Sequence, residues 1–264
     1  MRSIGIDHLS LYDLKPHELV RVAAATGFQS VGLFIEPIPF TGFAAFNLSP
    51  GSTDFRELRS ALAATGLVIS TLDPFLMLPE INFDNIRRNL DIGASLGARA
   101  INVVILDPDQ SRQVDRLGQL FVLATERKLD LVIEAYTLSE IRTAADALTL
   151  ADAVSSEIGL TIDALHVRRA GGCWTDVVCL PQERIRYVQF SDGPSNPPDD
   201  LGYEATFERA PPGHGELDLL SLFPLLPRTA LISVEAPATK LKSDGVSPLA
   251  RAERLSKAMR RMLA

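Results

Sequence analysis

The feature that most constrains this chain is an alternation of short β-rich runs with longer amphipathic stretches along its whole length. The β-rich runs predict strands at residues 3–9, 30–36, 67–73, 100–107, 129–135, 158–163, 185–191 and 230–235. The stretches between them predict helices at 16–26, 54–65, 84–96, 111–127, 138–155, 173–180, 216–225 and 248–263. Strands that alternate with helices at this spacing indicate parallel βαβ units.

Eight such units predict a closed (β/α)8 barrel, the TIM-barrel form of the α/β class. A chain of 264 residues is of ordinary length for one such barrel, so we assign residues 1–264 to a single domain. The alternative is an open, doubly wound sheet. It is disfavoured because no glycine-rich phosphate-binding loop follows the first predicted strand.

The charge balance and the distribution of apolar residues exclude several classes of partner. A net charge of −7 argues against nucleic acid, and no apolar run is long enough to cross a bilayer. Asp7 and His8 lie where a signal peptide would need an apolar core. Cys173 and Cys179 match no zinc or redox pattern. We therefore expect a cytoplasmic protein with no nucleic-acid or membrane partner; the sequence leaves the oligomeric state open, and a homo-oligomer is compatible with it.

Two connections are unusually long for a compact domain, and both follow the carboxyl end of a predicted strand. They are residues 37–54, after the second strand, and residues 193–218, after the seventh. Long loops in a compact domain are usually functional or form lids. The carboxyl ends of the strands form the catalytic face of a TIM barrel, so both loops are expected to border a site.

Acidic residues end seven of the eight predicted strands, and in a closed barrel these ends meet at one mouth. The acids are Glu36, Asp73, Asp107, Glu134, Asp163, Asp192 and Glu235. So many carboxylates at one rim would repel each other, raise their pKa values or recruit a cation. Aspartate after a strand is also an ordinary turn former, and we interpret Asp73-Pro74 and Asp107-Pro108 as turns.

Glu134 and Glu235 are harder to explain as capping residues, because glutamate is a poor N-cap. Asp163 has the same setting at the end of an apolar strand, where an unpaired carboxylate would be costly. Gln189, in "RIRYVQFSDG", places a neutral amide in the strand between them in sequence order. Three carboxylates and one amide oxygen suit Mn²⁺, Mg²⁺ or Co²⁺ and leave room for two substrate oxygens. The alternative is that Gln189 is a buried amide bonded to neighbouring backbone.

Five segments resemble the xylose isomerase-like TIM-barrel superfamily of sugar phosphate isomerases and epimerases. They are "VIEAY", "LTIDALH", "RYVQFSDGP", "PPGHGELDL" and "SVEAP". The resemblance implies that Glu134, Asp163, Gln189 and Glu235 bind one divalent metal ion. In the sugar epimerases the ligand on the seventh strand is commonly histidine. Glutamine there is similar to the 3-dehydroshikimate dehydratase branch, in which His166 would match a histidine that contacts substrate.

The resemblance predicts an isomerase or epimerase that removes a proton next to a carbonyl through a metal-stabilised enediolate. Glu134 and Glu235 would then carry protons as well as bind the metal. The alternative is a dehydroshikimate dehydratase-like lyase, in which His166 is the better proton carrier. A noncatalytic relative that binds a metal or ligand is a third hypothesis. An endonuclease IV-like DNA repair enzyme is excluded by the acidic balance and by a total of only four histidines.

The expected substrate is a small sugar or cyclic polyol. We predict that His166, Arg209, Glu36 and His8 contact it, with Arg209 able to bind an anionic group. A dehydroshikimate-type substrate carries a carboxylate, and we expect an enzyme for it to bind this group with dedicated arginines. None stands out at the ends of the first four strands, which weakens the lyase hypothesis.

Overall fold

A computed structural model describes residues 2–40 and 42–263. Eight parallel strands form one closed barrel in the order β1 to β8, which confirms the predicted fold class. The strands are β1 (Ile4–Asp7), β2 (Ser30–Phe34), β3 (Val68–Met77), β4 (Ala100–Ile105), β5 (Asp130–Glu134), β6 (Gly159–Asp163), β7 (Ile185–Phe190) and β8 (Leu231–Val234). Met1, Thr41 and Ala264, which the predicted domain of residues 1–264 also includes, lie outside the described residues.

Helices surround this barrel and connect its strands. They are α1 (Pro16–Ala25), α2 (Thr53–Thr65), α3 (Phe83–Ser95), α4 (Gln110–Glu126), α5 (Ala144–Val154), α6 (Ala164–Arg169), α7 (Trp174–Val178), α8 (Leu201–Phe207), α9 (Leu219–Leu222), α10 (Thr239–Ser243) and α11 (Pro248–Met262). Short 3-10 turns cover His8–Leu11, Gln182–Arg184 and Phe223–Leu225. No helix of the described segments is long and apolar enough to cross a membrane.

The barrel closes where the first strand pairs with the last. Ile4, Gly5 and Ile6 of β1 lie in register with residues 232–234 of β8. The strands are buried along almost their whole length, as a parallel sheet covered by helices requires. Leu19 of α1 and Leu58 of α2 are fully buried members of the apolar core, and the barrel's mouth is thus held by a rigid frame.

Side-chain caps decide where most of the longer helices begin. Thr143 caps α5 by accepting a bond from the Asp146 backbone N–H, and Asp146 accepts one from the Thr143 backbone in return. The predicted helix over 138–155 is therefore too long at its start, since the helix begins only at Ala144. The helix predicted at 216–225 is also shorter, because Leu219–Leu222 passes into a 3-10 turn that contains Pro224.

The prediction of a turn at Asp73-Pro74 is wrong. Strand β3 continues through both residues to Met77 and pairs with β2 and β4. Proline has no N–H to donate, and the pairing with β4 accordingly shifts its register between Leu72 and Phe75. This longer strand carries the Asp73 side chain to the barrel mouth in a buried position.

One buried ion pair joins the two ends of the chain. Arg251 of α11 donates from Nη2 to both oxygens of Asp13, at 2.8 and 2.6 Å. Asp13 follows the 3-10 turn after β1, so this bond holds the last helix against the first strand's connection.

Candidate metal centre

Four successive strands place the predicted ligands at the carboxyl end of the barrel. Glu134 and Asp163 are the last residues of β5 and β6, and Gln189 is the penultimate residue of β7. Glu235 directly follows β8, and its N–H donates to the Phe190 carbonyl oxygen at 3.0 Å. Asp163 and Gln189 are register partners and therefore project to the same side of the sheet. All four side chains are buried.

Arg209 lies among these carboxylates rather than in solvent. Its Nη1 donates to Asp163 Oδ2 at 2.8 Å and to Glu235 Oε2 at 3.1 Å, and the residue is 4% exposed. Burial alone would lower the pKa of Arg209, but Asp163 and Glu235 outweigh it and raise that pKa. The guanidinium therefore stays charged and joins the ends of β6 and β8.

The acids that share this space have strongly shifted pKa values. Burial, and then the Glu235 and Asp163 charges, raise the pKa of Glu134 well above its usual value. Burial also raises the pKa of Glu235 to about 8, against the opposing effect of Arg209. Asp163 behaves differently: burial would raise its pKa, but Arg209 and His166 hold it below the usual value. The single positive charge of Arg209 is thus smaller than the negative charge that Glu134, Asp163 and Glu235 carry when all three are ionised.

His166 lies at the edge of the cluster, and its Nε2 atom is directed towards Glu134. Its Nε2 is 3.7 Å from Glu134 Oε1, and burial lowers the pKa of the imidazole to about 4. Thr137 Oγ1 donates to the His166 carbonyl oxygen at 3.3 Å and lies 3.1 Å from Nδ1. These two contacts hold the imidazole ring in place and direct Nε2 towards Glu134.

The residues present fit a divalent cation that prefers oxygen ligands. Gln189 Oε1 is fully buried and has no hydrogen-bond partner among the described residues, which is unusual for a buried amide. Glu134, Asp163 and His166 also bring potential ligand atoms within 4.8 Å of one another. A cation bound by Glu134, Asp163, Gln189 and Glu235 would satisfy the free amide oxygen and offset the excess negative charge.

Two residues that we predicted to contact substrate lie outside this cluster. His8 donates from Nε2 to the Leu14 carbonyl oxygen at 2.8 Å, and its Nδ1 accepts from the Phe34 N–H at 3.2 Å. Both ring nitrogens are thus bonded to backbone. Glu36 is exposed and accepts from Asn85 Nδ2 at 3.0 Å. A substrate contact by either residue stays a prediction, whereas His166 and Arg209 lie at the acids themselves.

Further polar residues support the cluster, and the sequence reasoning missed most of them. Asn102 of β4 donates to Glu134 Oε2 and accepts from Thr161 at 2.7 Å. Asn102 interrupts the apolar run "AINVVI", which is the same signal that Gln189 gives in β7. Asp73 is buried beside the acids as well, although we interpreted it as a turn residue.

Aromatic side chains cover one side of the mouth. Phe43, in the loop after β2, stacks on Tyr12 with ring centroids 4.5 Å apart and meets Phe207 of α8 edge-on at 6.1 Å. Lys242 of α10 donates from Nζ to the Gly42 carbonyl oxygen at 3.0 Å. The two long loops that we predicted to border the site therefore contact each other through Phe43 and Phe207.

A second group of potential ligands lies away from the mouth, between α1 and α2. It consists of His17, Asp54 and Glu57. Asp54 already accepts from Lys15 Nζ at 2.9 Å and from the Asn47 N–H at 2.8 Å. His17 Nε2 lies 3.1 Å from Glu57 Oε2, so these contacts are explained as packing of the two helices.

The comparisons with known proteins agree with the barrel fold. Residues 20–263 match the model of the xylose isomerase-like TIM barrel family, and the chain belongs to that family. Two curated relatives are named 3-dehydroshikimate dehydratase. The one from Pseudomonas aeruginosa is 29% identical over 231 residues, and the one from Pseudomonas putida is 28% identical over 237 residues. These alignments cover 81% and 84% of this chain but only 34% and 35% of the relatives, so the chain spans about a third of their length.

Solved structures of low sequence identity share the fold. D-psicose 3-epimerase from Clostridium cellulolyticum H10 superposes with a TM-score of 0.74 at 13% identity, covering 99% of this chain and 98% of that one. The 3-keto-D-glucoside 4-epimerase of E. coli gives 0.71 at 15% identity, covering 100% and 99%. The named relatives are enzymes of two kinds, epimerases and dehydratases.

Proposed function

We propose that this protein is a divalent-metal-dependent isomerase or epimerase of a small sugar, sugar phosphate or keto-polyol. The observation that carries the proposal is the buried set of three carboxylates with the unpartnered amide oxygen of Gln189 at the ends of β5 to β8. When bound there, Mn²⁺, Mg²⁺ or Co²⁺ supplies a Lewis acid that makes a C–H next to a carbonyl easier to ionise.

Two glutamates are suited to move the proton. Glu134 and Glu235 are buried carboxylates at the ends of β5 and β8, beside the position proposed for the reacting C–H, and a positioned carboxylate can take up or return a proton there. They end strands that are separated by two others, so they approach a ligand between them from different sides. An epimerase needs this arrangement, because one group removes the proton and another returns it to the opposite face.

His166 and Arg209 complete the proposed site. His166 Nε2 points to the space beside Glu134, where it can form a hydrogen bond with a substrate hydroxyl. The Arg209 guanidinium orients Asp163 and Glu235 and presents positive charge to a substrate oxygen. Phe43 and Phe207, which contact each other across the two long loops, are suited to close the site from water.

A lyase of the 3-dehydroshikimate dehydratase kind is the second candidate, favoured by the names of the two curated relatives. It would use the same first step, with loss of a β-hydroxyl instead of return of the proton. Its substrate carries a carboxylate, and the arginine that the structure brings to the acids, Arg209, is already bonded to Asp163 and Glu235. This charge arrangement favours a neutral carbohydrate over a carboxylate.

Incubation in D₂O with Mn²⁺ and a panel of keto sugars and cyclic polyols tests the proposal. We expect deuterium, detected by NMR, in recovered substrate or in a stereoisomer. Glu134→Gln should lower the exchange rate by about 100-fold or more, since general acid–base groups contribute on that scale. Glu157→Gln, at an exposed position, serves as the matched control and should leave the rate unchanged.

Other outcomes of the same experiment separate the alternatives. Water loss with a new ultraviolet-absorbing conjugated product, and no exchange into recovered substrate, would replace the isomerase with the lyase. Tight Mn²⁺ binding without exchange or elimination across the panel would favour a noncatalytic relative.

A further inference from the structure

The carboxylate of Asp7 is only half satisfied, deep inside the barrel. Asp7 ends β1 and is 1% exposed. Its Oδ1 accepts from the Tyr187 hydroxyl at 2.6 Å and from Ser233 Oγ at 2.8 Å. Its Oδ2 is buried and has no hydrogen-bond partner in the part of the chain that the structure describes. Burying a carboxylate oxygen without a hydrogen-bond donor costs free energy. We therefore expect a donor for Asp7 Oδ2 among its neighbours.

Gln189 is the neighbour that can supply this partner. Tyr187 precedes Gln189 by two residues on β7 and shares its face, and Ser233 is its register partner on β8. The Gln189 side chain lies within interaction range of the Asp7 carboxyl group. Asp7 Oδ2 has no hydrogen-bond partner among the described residues, and neither has Gln189 Oε1.

Strand β2 leaves room for this carboxylate. A Cβ at Gly32 would collide with Asp7 Oδ1 and would come within 3.4 Å of the Tyr187 hydroxyl. A glycine at this position of the barrel wall is therefore needed for the Asp7 side chain to point inwards. The bonds from Tyr187 and Ser233 and the space at Gly32 fix the carboxyl group, and Oδ2 is the oxygen that they leave without a partner among the described residues.

We propose that Asp7 is a positioning residue that accepts a hydrogen bond from Gln189 Nε2 and thereby turns Gln189 Oε1 towards the metal ion. The Nε2 donor and the Oε1 acceptor of glutamine are bonded to the same carbon and point in different directions. A hydrogen bond that fixes Nε2 therefore also fixes the direction of Oε1. Residues that orient metal ligands in this way typically change metal affinity by about 10- to 100-fold. The inference rests on the metal site proposed above.

Mn²⁺ affinity, measured by isothermal titration calorimetry on the intact chain, tests this inference in a double-mutant cycle. Asparagine at position 7 would present an NH₂ group where Oδ2 now lies, and this group would bond Gln189 Oε1 and draw it from the metal. Asp7→Asn should therefore weaken Mn²⁺ binding by about 10-fold or more. In a Gln189→Ala background, where Mn²⁺ binding is already weaker, the same change should alter the affinity by less than about 2-fold.

Asp73→Asn provides the matched control for loss of a buried charge. Asp73 is also buried, but its carboxylate accepts from Thr71. The effect of Asp73→Asn on Mn²⁺ affinity should be the same in the wild-type and the Gln189→Ala backgrounds. Tyr187→Phe, which removes one donor to Asp7, is a second test if Asp7→Asn fails to fold. It should weaken Mn²⁺ binding only when Gln189 is present.

Equal losses for Asp7→Asn in both backgrounds would overturn the inference, because Asp7 would then act through its charge and not through Gln189. Absence of Mn²⁺ binding to the wild-type chain is a different result. It would overturn the proposed metal site, and the role of Asp7 with it.

Discussion

Arg209 shows how much of the site depends on the placement of one side chain. In the sequence it belongs to a long loop, where a solvent-exposed charge is the ordinary outcome. In the structure it is buried and bonded to Asp163 and Glu235, while Glu134 has no comparable bond to it. The acid cluster is therefore held together by a cation of the chain itself and still keeps negative charge for a second cation.

The buried acids predict an unusual pH dependence for the metal-free protein. Burial, and then the neighbouring acid Asp73, raise the pKa of Asp7 to about 7, and burial raises that of Asp73 to about 7 as well. Between the usual value of 3.8 and 7 the folded state binds protons more tightly than the unfolded chain. Its stability should therefore fall as the pH rises through this window.

Urea denaturation in EDTA at a series of pH values from about 5 to 8 measures this effect. The midpoint should decrease towards the upper end of this range, and addition of Mn²⁺ should reverse the trend because the metal favours the ionised carboxylates. A midpoint that rises steadily with pH in EDTA would show that these acids are already ionised in the folded protein.

The connection after β7 shows how a loop holds a side chain in the site. Asp192 accepts from the backbone N–H groups of Gly193, Leu217 and Gly213 at 2.9 to 3.0 Å. The backbone of Asp192 also exchanges two hydrogen bonds with Ala210, next to Arg209. The hydrogen bonds of Asp192 thus hold the loop in one conformation. In this conformation Arg209 contacts Asp163 and Glu235.

Gly215 is needed for this loop to close on itself. A Cβ at this position would collide with the Asp192 carboxylate and with the Gly193 backbone. Gly215→Ala should therefore destabilise the protein by about 1–3 kcal/mol, as overpacking does. Gly118→Ala in α4 is the control, since its nearest neighbour, Val154, is 3.8 Å away; it should be neutral or stabilise by up to about 1 kcal/mol. Chemical denaturation of both variants measures the difference, and equal midpoints would contradict the explanation.

The elements that the sequence predicted well are those that local pattern determines. All eight strands follow from buried apolar runs, and Glu134 and Glu235 could be distinguished because glutamate is a poor helix cap. Asp163 is not distinguished in this way, because its side chain also caps α6 by accepting from the His166 N–H at 3.0 Å. The sequence did not predict the continuation of β3 through Pro74 or the short helices α6, α8 and α10. These depend on pairing with distant strands or on loop contacts, and neither leaves a periodic signal in so few residues.

At the scale of the whole molecule, the chain's ends are joined twice, by the pairing of β1 with β8 and by the Arg251–Asp13 ion pair. Removal of Arg251 leaves Asp13 partly buried without its partner. Arg251→Met should therefore destabilise the protein by about 2–4 kcal/mol, somewhat less than for a fully buried pair.

Lys257→Met, in the same helix, is the control. Lys257 lies 3.8 Å from Glu253, and both side chains are at least half exposed, so the loss should stay below about 1 kcal/mol. Urea denaturation of both variants gives the comparison. If the two changes cost the same, the bond between Arg251 and Asp13 does not join the chain's ends in solution.

The bonds from Asp7 to Tyr187 and Ser233 have a consequence for the order in which the protein matures. They connect the first strand to β7 and β8, so the contacts beside Gln189 exist only after β8 has been made and the barrel has closed. A nascent chain that has made only β1 to β6 carries Glu134 and Asp163 but not the complete set of proposed ligands. The proposed metal ion would therefore bind only late in folding.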